Sequence, residues 1–133
     1  PGERVIDYGC GSGILAIAAA KLGAGEVIGV DIDPQAVAST RANAQVNEVR
    51  IEARLSSEAP PAPADVVVAN ILSNPLKVLA PMLSALVAPG GRLVLAGLLD
   101  RQAAEVAAAY PEFDLRVHQE REGWACLAGP KRP

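Results

Sequence analysis

The sequence predicts an α/β fold, a Rossmann-like, doubly wound and mainly parallel sheet that ends in an antiparallel hairpin. Three observations carry this prediction. Apolar runs typical of buried strands alternate with helical patterns, two of these runs end in an acid, and a glycine-rich turn follows the first. With 133 residues, half of them apolar, the chain can bury one core, and we expect a single domain over residues 1–133.

The stretch from Val5 to Leu15, VIDYGCGSGIL, begins the predicted fold. Its apolar start fits the end of a strand, and a helix is predicted from Ser12 to Leu22, where Gly23 ends it. Glycine occupies every second position of the turn between them (Gly9, Gly11 and Gly13). A ligand can approach the backbone of such a turn closely, because no side chains stand in the way.

The spacing of these glycines differs from the dinucleotide fingerprint G-x-G-x-x-G, because Gly13 comes one place early and Ile14 fills the third slot. Asp7 adds negative charge beside the turn, which suits a ligand with an ammonium and a sulfonium better than a pyrophosphate. Cys10 stands where a small residue is needed, and a steric role is favoured over a nucleophilic one. Cys10 and Cys126 have neither metal-ligand nor disulfide spacing, so no metal site is predicted.

The second and third strands flank a capped helix. Glu26 to Asp31 is a buried strand, and Asp33 is predicted to cap a helix from Pro34 to Val46. Val49 to Leu55 alternates apolar and charged residues, as a strand at a sheet edge does. The prolines in Ser56 to Ala64 then forbid regular structure and predict a surface loop.

The second half opens with a central strand, Asp65 to Asn70. Asn74 is predicted to cap a helix from Pro75 to Val87 that Pro81 disturbs. The remaining predicted elements are a Pro-Gly-Gly turn at 89–91, a strand from Arg92 to Gly97, a helix from Asp100 to about Tyr110, and hairpin strands from Phe113 to Glu120 and from Gly123 to Gly129. Trp124 is expected to pack on the edge of the sheet.

Three polar residues outside the glycine turn are candidate ligand contacts, because ligands bind beyond the carboxyl ends of parallel strands. Asp31 follows Gly11 by 20 residues, the separation at which a strand-end carboxylate reaches ribose hydroxyls. Asn70 is expected in the same crevice, where its carbonyl oxygen can hold an amine N–H. Ser56 is either a hydrogen-bond partner of an adenine or an ordinary turn serine.

Composition narrows the classes of partner. The net charge is −3 and charged residues are interspersed, so direct binding of nucleic acid is not expected. No apolar run reaches the length of a membrane span and the chain starts with Pro-Gly instead of a signal peptide, which predicts a cytoplasmic protein. The missing initiator Met and the abrupt start before the first strand predict a fragment of a longer polypeptide.

Asp7 with its glycine turn resembles the class I S-adenosylmethionine-dependent methyltransferases. The phrases VIDYGCGSGILAIAAAKLGA, VIGVDIDPQAV and DVVVANILSNPLKVLAP resemble those of the bacterial ribosomal protein L11 methyltransferase (PrmA) family, over Pro1 to about Gly129. The most discriminating element is Asn70-Ile71-Leu72, where glutamine and nucleic-acid amino-methyltransferases typically carry Asn-Pro-Pro-aromatic.

The resemblance implies S-adenosylmethionine as cofactor and a role for each matching residue. The implied cofactor contacts are Asp7, Gly9 and Gly11 at the methionine end, with Cys10 and Gly13 completing the turn, Asp31 at the ribose, and Ile32 and Ser56 at the adenine. Asn70, with its neighbour Ile71, is the implied catalytic position, where the methionyl group and the incoming amine meet. The resemblance also implies an upstream substrate-recognition domain, which is expected to lie outside this chain.

The implied activity is methylation of amino groups of ribosomal protein L11, both lysine side chains and the N-terminal amine. A lysine amine has an unperturbed pKa near 10.4 and must lose a proton before it attacks. No residue is an evident general base, so catalysis would rest on alignment and desolvation. Three alternatives remain from the sequence: another protein amine or a small molecule as acceptor, a nicotinamide-dependent dehydrogenase, and a non-catalytic binding module.

Overall fold

A computed structural model describes residues 2–58 and 60–133 of the chain. The chain divides into two compact units, residues 1–64 and 65–133. The units carry seven strands between them, three in the first and four in the second. No helix in the described ranges is both long and apolar enough to cross a membrane.

The first unit alternates strands with helices. Its elements are β1 (Arg4–Tyr8), α1 (Ile14–Lys21), β2 (Glu26–Asp31), α2 (Pro34–Val46) and β3 (Glu52–Leu55). The strands lie in the order β3-β2-β1 and both pairings are parallel, with Ile6 opposite Ile28. Ile6 and Ile28 are buried, as expected for β-branched strands covered on both faces.

Helix boundaries in this unit follow the local chemistry. α1 begins at Ile14, two residues later than predicted, because Gly13 has a φ of 88° that no helix accepts. Gly23, with a φ of 103°, follows the end of α1 as predicted. The prediction that Asp33 caps α2 is confirmed, since its carboxylate accepts a hydrogen bond of 2.9 Å from the backbone N–H of Gln35.

The second unit carries the remaining elements. They are β4 (Ala64–Asn70), α3 (Ser73–Val78), α4 (Ala80–Ala85), β5 (Val87–Leu99), a 3₁₀ turn (Asp100–Gln102), α5 (Ala103–Ala108), β6 (Arg116–Arg121) and β7 (Trp124–Pro130). The strands lie in the order β4-β5-β7-β6. β7 pairs antiparallel with both β5 and β6, which confirms the C-terminal hairpin. Its turn uses Glu122 and Gly123, both with positive φ.

The predicted helix from Pro75 to Val87 is two short helices. They meet at Leu79, two residues before Pro81, because proline lacks an N–H and restricts the residue before it. The prediction that Asn74 caps the first of them is wrong. α3 begins at Ser73 after Leu72, so Asn74 lies inside its first turn.

Three strand boundaries also differ from the predictions. The Pro-Gly-Gly segment is no separate turn but lies within β5, which starts at Val87. A Cβ on Gly91 would come within 2.8 Å of the carbonyl oxygen of Asp65, so glycine permits this close backbone approach. β3 starts at Glu52 and β6 at Arg116, each later than the alternation suggested.

Candidate functional site

The glycine loop, residues 9–13, leaves β1 through backbone conformations that favour glycine. Gly9, Gly11 and Gly13 have φ values of 79°, 55° and 88°. The backbone N–H groups of Gly9 and Cys10 donate to the carbonyl oxygen of Val30 at 2.7 and 3.0 Å, which ties the loop to the end of β2. A Cβ built on Gly11 would meet no atom of the described residues within 4 Å. The loop therefore offers open space at its centre, where a ligand can approach the backbone.

Two side chains of helix α2 hold the loop through hydrogen bonds. The fully buried Thr40 hydroxyl donates to the carbonyl oxygen of Gly11 at 3.0 Å, and the Asn43 amide donates to the carbonyl oxygen of Ser12 at 2.8 Å. A Cβ on Gly13 would lie 3.0 Å from the Thr40 side chain, so this glycine is needed for packing. The sequence analysis did not single out Thr40. The signal was a hydroxyl on the apolar face of a helix.

Within the glycine loop, the side chain of Cys10 points into the protein. Its side chain is buried, and a Cβ on Gly29 of β2 would lie 3.2 Å from its sulfur. Burial raises the pKa of the Cys10 thiol, and its contact with the Thr40 hydroxyl at 3.3 Å only partly offsets this effect. A protonated, enclosed thiol is a poor nucleophile, which supports the steric interpretation of this cysteine.

Asp31 ends β2 with its carboxylate turned toward the loop. One oxygen accepts a hydrogen bond from the backbone N–H of Gly11 and the other from that of Asp33, both at 3.0 Å. These two bonds fix the direction of the carboxylate. Each oxygen keeps a further acceptor site, so the group can still bind two hydroxyls.

Three further residues surround Asp31. The Ser56 backbone N–H donates to the Asp31 carbonyl oxygen at 2.9 Å. Burial raises the pKa of the Tyr8 phenol, and the Ser56 side chain lowers this pKa by less. The Ile32 side chain is 83% exposed, which leaves a bare apolar surface next to the carboxylate. Sequence reasoning missed Tyr8, whose place between Asp7 and Gly9 was the available signal.

Asp7 has the most unusual environment in the first unit. It is only 2% exposed, and in the described part of the chain neither carboxylate oxygen has a hydrogen-bond partner. Burial raises its pKa to about 6, the nearby N–H of Ala16 lowers the pKa by less, and the charge of Asp31 raises it further. A buried acid without a partner is a place for a positively charged group to bind.

The wild-type protein is expected to lose stability between acid and neutral pH because of Asp7. Replacing Asp7 with asparagine should remove this loss. The folded pKa of about 6 lies above the usual value of 3.8, so the folded state holds the proton more tightly. The contribution of Asp7 to stability is therefore most favourable below pH 4 and falls as the pH rises through about 6, by up to about 3 kcal/mol. Urea unfolding at pH 5 and pH 7.5 measures the difference. At pH 7.5, Asp7→Asn should have a higher free energy of unfolding than the wild type.

The control for this prediction is Glu58→Gln, which neutralises an exposed carboxyl in the same unit. It should keep the pH dependence of the wild type. An Asp7→Asn protein whose stability declined as steeply as the wild type would show that Asp7 does not carry the effect.

In the second unit, Asn70 ends β4 with an exposed side chain and is followed by the half-buried Ile71. Both meet Gly97, which lies at a bulge in the pairing of β5 with β7. A Cβ on Gly97 would lie 2.8 Å from the Asn70 side-chain oxygen and 2.7 Å from the Ile71 carbonyl oxygen. The bulge and the glycine together make room for the Asn-Ile segment. Sequence reasoning treated Gly97 only as the end of a strand.

Gly97→Ala is expected to displace Asn70 and Ile71 and to destabilise the protein by about 1–3 kcal/mol. Two causes combine: a φ of +84° that disfavours alanine, and the contacts with the two oxygens. Gly90→Ala is a matched control on the same strand, because Gly90 has a φ of +79° and open space around its Cβ position. The free energy of unfolding, measured with denaturant, should fall more in Gly97→Ala than in Gly90→Ala. Equal effects of the two substitutions would mean that backbone strain alone acts.

The structure therefore brings Asp7, the glycine loop, Asp31, Ile32 and Ser56 together in the first unit, while Asn70 and Ile71 belong to the second. The expectation that Asn70 shares a crevice with Asp31 stays a prediction. In residues 2–58 and 60–133, no three His, Cys, Asp or Glu side chains form a group that could hold a metal ion.

Comparison with solved structures identifies the class of protein. A ribosomal protein L11 methylase from Lactobacillus delbrueckii subsp. bulgaricus matches with a TM-score of 0.90 and 29% identity, over 100% of this chain and 72% of that chain. An RNA methyltransferase from Salinibacter ruber, solved with S-adenosyl-L-homocysteine, matches with a TM-score of 0.74 and 25% identity, over 98% of this chain and 81% of that chain. Fold and glycine loop thus define a class I methyltransferase fold.

The family follows from sequence comparison. The family model described as ribosomal protein L11 methyltransferase (PrmA) matches residues 1–132, and the chain belongs to this family. Proteins named ribosomal protein L11 methyltransferase from Bordetella parapertussis and Ralstonia pickettii are 66% and 61% identical, each over 98% of this chain. The chain spans 43% and 44% of the length of these two relatives.

Proposed function

We propose that this chain carries out the methyl transfer of a protein N-methyltransferase, with S-adenosylmethionine as cofactor and amino groups of ribosomal protein L11 as acceptors. The acceptors are lysine side chains and the N-terminal amine. The observation that carries the proposal is the buried, unpartnered carboxylate of Asp7 beside a glycine loop with open space at Gly11. This combination fits a ligand that bears positive charge and lies against the backbone. The names of the family relatives support the acceptor.

The residues of the first unit fit the parts of the cofactor. Asp7 would compensate the positive charge of its methionine end, where Gly9 and Gly11 leave room, while Cys10 and Gly13 maintain the shape of the loop. Asp31 would accept hydrogen bonds from the two ribose hydroxyls, since its oxygens are already oriented by Gly11 and Asp33. Ile32 offers an apolar surface for one face of the adenine. Ser56 lies next to Asp31, where it could contact the edge of the adenine.

When bound, the cofactor supplies a methyl group on a sulfonium, an electrophile that needs no metal or acid. The N–C bond forms as the S–C bond breaks, and the nitrogen must be neutral when it attacks, which for lysine means loss of a proton. The Asn70 side-chain oxygen, held against Gly97, would accept an N–H of the amine and leave its lone pair free. Asn70 and Ile71 thereby orient the acceptor, and the proton leaves to water. The rate gain would come from alignment and exclusion of solvent.

The reaction is proposed to take place in the cytoplasm, where ribosomal proteins are made, and without direct contact to nucleic acid. The sparse and interspersed positive charge of the chain supports the second point, because nucleic-acid binding depends on clustered Lys and Arg.

Calorimetric titration with S-adenosylmethionine, S-adenosylhomocysteine and NAD tests the cofactor. The first two should bind and NAD should not. Binding of NAD would contradict our interpretation of Asp7 and the glycine spacing. Incubation with ribosomal protein L11 and cofactor labelled in the methyl group then tests the acceptor, and labelled lysine side chains and N-terminal amine are the expected result. Cofactor binding without any transfer to L11 would contradict the acceptor alone.

A further inference from the structure

Trp124 is the only tryptophan of the chain, and its large apolar side chain is 51% exposed at the start of β7. It pairs with Leu99 of β5 on one side and Arg121 of β6 on the other. Burying an indole stabilises a protein substantially, so an indole that stays half in water at a structured position is available to a ligand.

The indole stands between two cavities of the second unit. One, of about 470 Å³, is bordered by Trp124 together with Asn70, Gly97, Gln119 and Arg121. The other, of about 320 Å³, is bordered by Trp124 together with Gly97 and the Leu72–Ser73 segment. Trp124 and Gly97 thus border both cavities. We call the larger one, which reaches Asn70, the acceptor cavity.

We propose that Trp124 determines acceptor specificity, because its indole packs against the aliphatic stem of a lysine side chain whose nitrogen reaches Asn70 in the acceptor cavity. This inference rests on the proposed function and names the residue that selects its substrate. A volume of about 470 Å³ lies in the range of ligand pockets and accommodates a lysine side chain with the neighbouring peptide. A rigid aromatic ring gives such a stem a large contact area at little cost in conformational entropy.

Arg121 also borders the acceptor cavity, and its charge favours a neutral amine over an ammonium. Arg121 is exposed, and water screens the interaction between charges at an exposed position strongly. Its effect on the acceptor is therefore small, and the apolar contact with Trp124 carries the selection.

The kinetic test compares Trp124→Ala and Trp124→Phe in the full-length protein, with Val117→Ala as the matched control. Val117 is another exposed apolar residue of the hairpin, on β6, and is not among the residues that border the acceptor cavity. Trp124→Ala should raise KM for ribosomal protein L11 about tenfold, while the Kd for S-adenosylmethionine stays within about twofold. Trp124→Phe should restore most of the affinity, because an aromatic face remains. Val117→Ala should behave like the wild type.

The spectroscopic test needs no turnover. Because Trp124 is the sole tryptophan, the emission of this chain reports on the acceptor cavity directly. A lysine-containing peptide without aromatic residues, added with saturating S-adenosylhomocysteine, should shift the emission to shorter wavelength as the indole leaves water. A peptide with glycine in place of lysine should leave the emission unchanged.

The outcomes separate this inference from the proposed function. A wild-type protein that does not methylate L11 contradicts the proposed acceptor, whereas a lysine-dependent emission shift would still support the inference. A wild-type protein that methylates L11, with Trp124→Ala unchanged in KM, would overturn the inference alone. An emission that does not respond to the lysine peptide would also overturn it.

Discussion

Asp31→Ala should weaken binding of S-adenosylmethionine by at least about 100-fold. The substitution removes the charged acceptor of the two hydrogen bonds that the ribose hydroxyls are proposed to donate. Each such bond is worth about 1.5–3 kcal/mol, and 1.4 kcal/mol corresponds to a factor of ten. It also removes the acceptor that holds the backbone N–H of Gly11 at 3.0 Å, so the glycine loop loses one of its supports. Calorimetric titration with S-adenosylmethionine measures the change.

Asp33→Ala is the matched control for Asp31→Ala. Asp33 is two residues away and equally charged, but its carboxylate caps α2 through the N–H of Gln35. Its loss should cost about 1 kcal/mol of stability and leave the Kd for the cofactor within about threefold. Should Asp33→Ala weaken cofactor binding as much as Asp31→Ala does, the ribose assignment of Asp31 would be wrong.

The first half of the fold could be predicted because each pattern has one structural reading. An apolar run that ends in an acid, followed by glycines at every second position, leaves no choice but strand, turn and helix, and β1, β2 and α2 lie where the sequence placed them. The second half was less certain, because its strands and helices are set by contacts distant in sequence. Gly91 belongs to β5 since it lies against the Asp65 carbonyl, a contact that no local pattern reveals.

In the candidate site, too, some residues could be predicted from local patterns and others could not. Asp7, Asp31 and the glycines were accessible to sequence reasoning, because their residue types and spacing point to a ligand. Thr40 was not, because a hydroxyl beneath the loop differs from an ordinary core threonine only through its bond to Gly11. The roles of Gly97 and Trp124, which border the same cavity as Asn70, were missed for another reason. Their role depends on a bulge in the pairing of β5 with β7, which shifts the register between Leu95 and Leu98.

Asn70→Ala should lower kcat by about 100-fold or more while the Kd for S-adenosylmethionine changes by no more than about threefold. An interaction that orients the reacting nitrogen acts mainly in the transition state, and loss of one such preorganised contact typically costs a factor of 10²–10³. The proposed cofactor contacts are instead Asp31 and the glycine loop. Steady-state methylation of ribosomal protein L11 and calorimetric titration with S-adenosylmethionine measure the two quantities separately.

Asn74→Ala is the control for Asn70→Ala, because Asn74 is an exposed asparagine in the same segment that does not cap α3. It should leave kcat within about twofold. The pH dependence of the remaining activity in Asn70→Ala should keep the shape of the wild type, since an amide orients the amine and takes no proton from it. A loss of cofactor affinity as large as the loss of kcat would assign Asn70 to binding alone, and catalysis would then depend on Ile71 and the backbone carbonyl groups of the segment after β4.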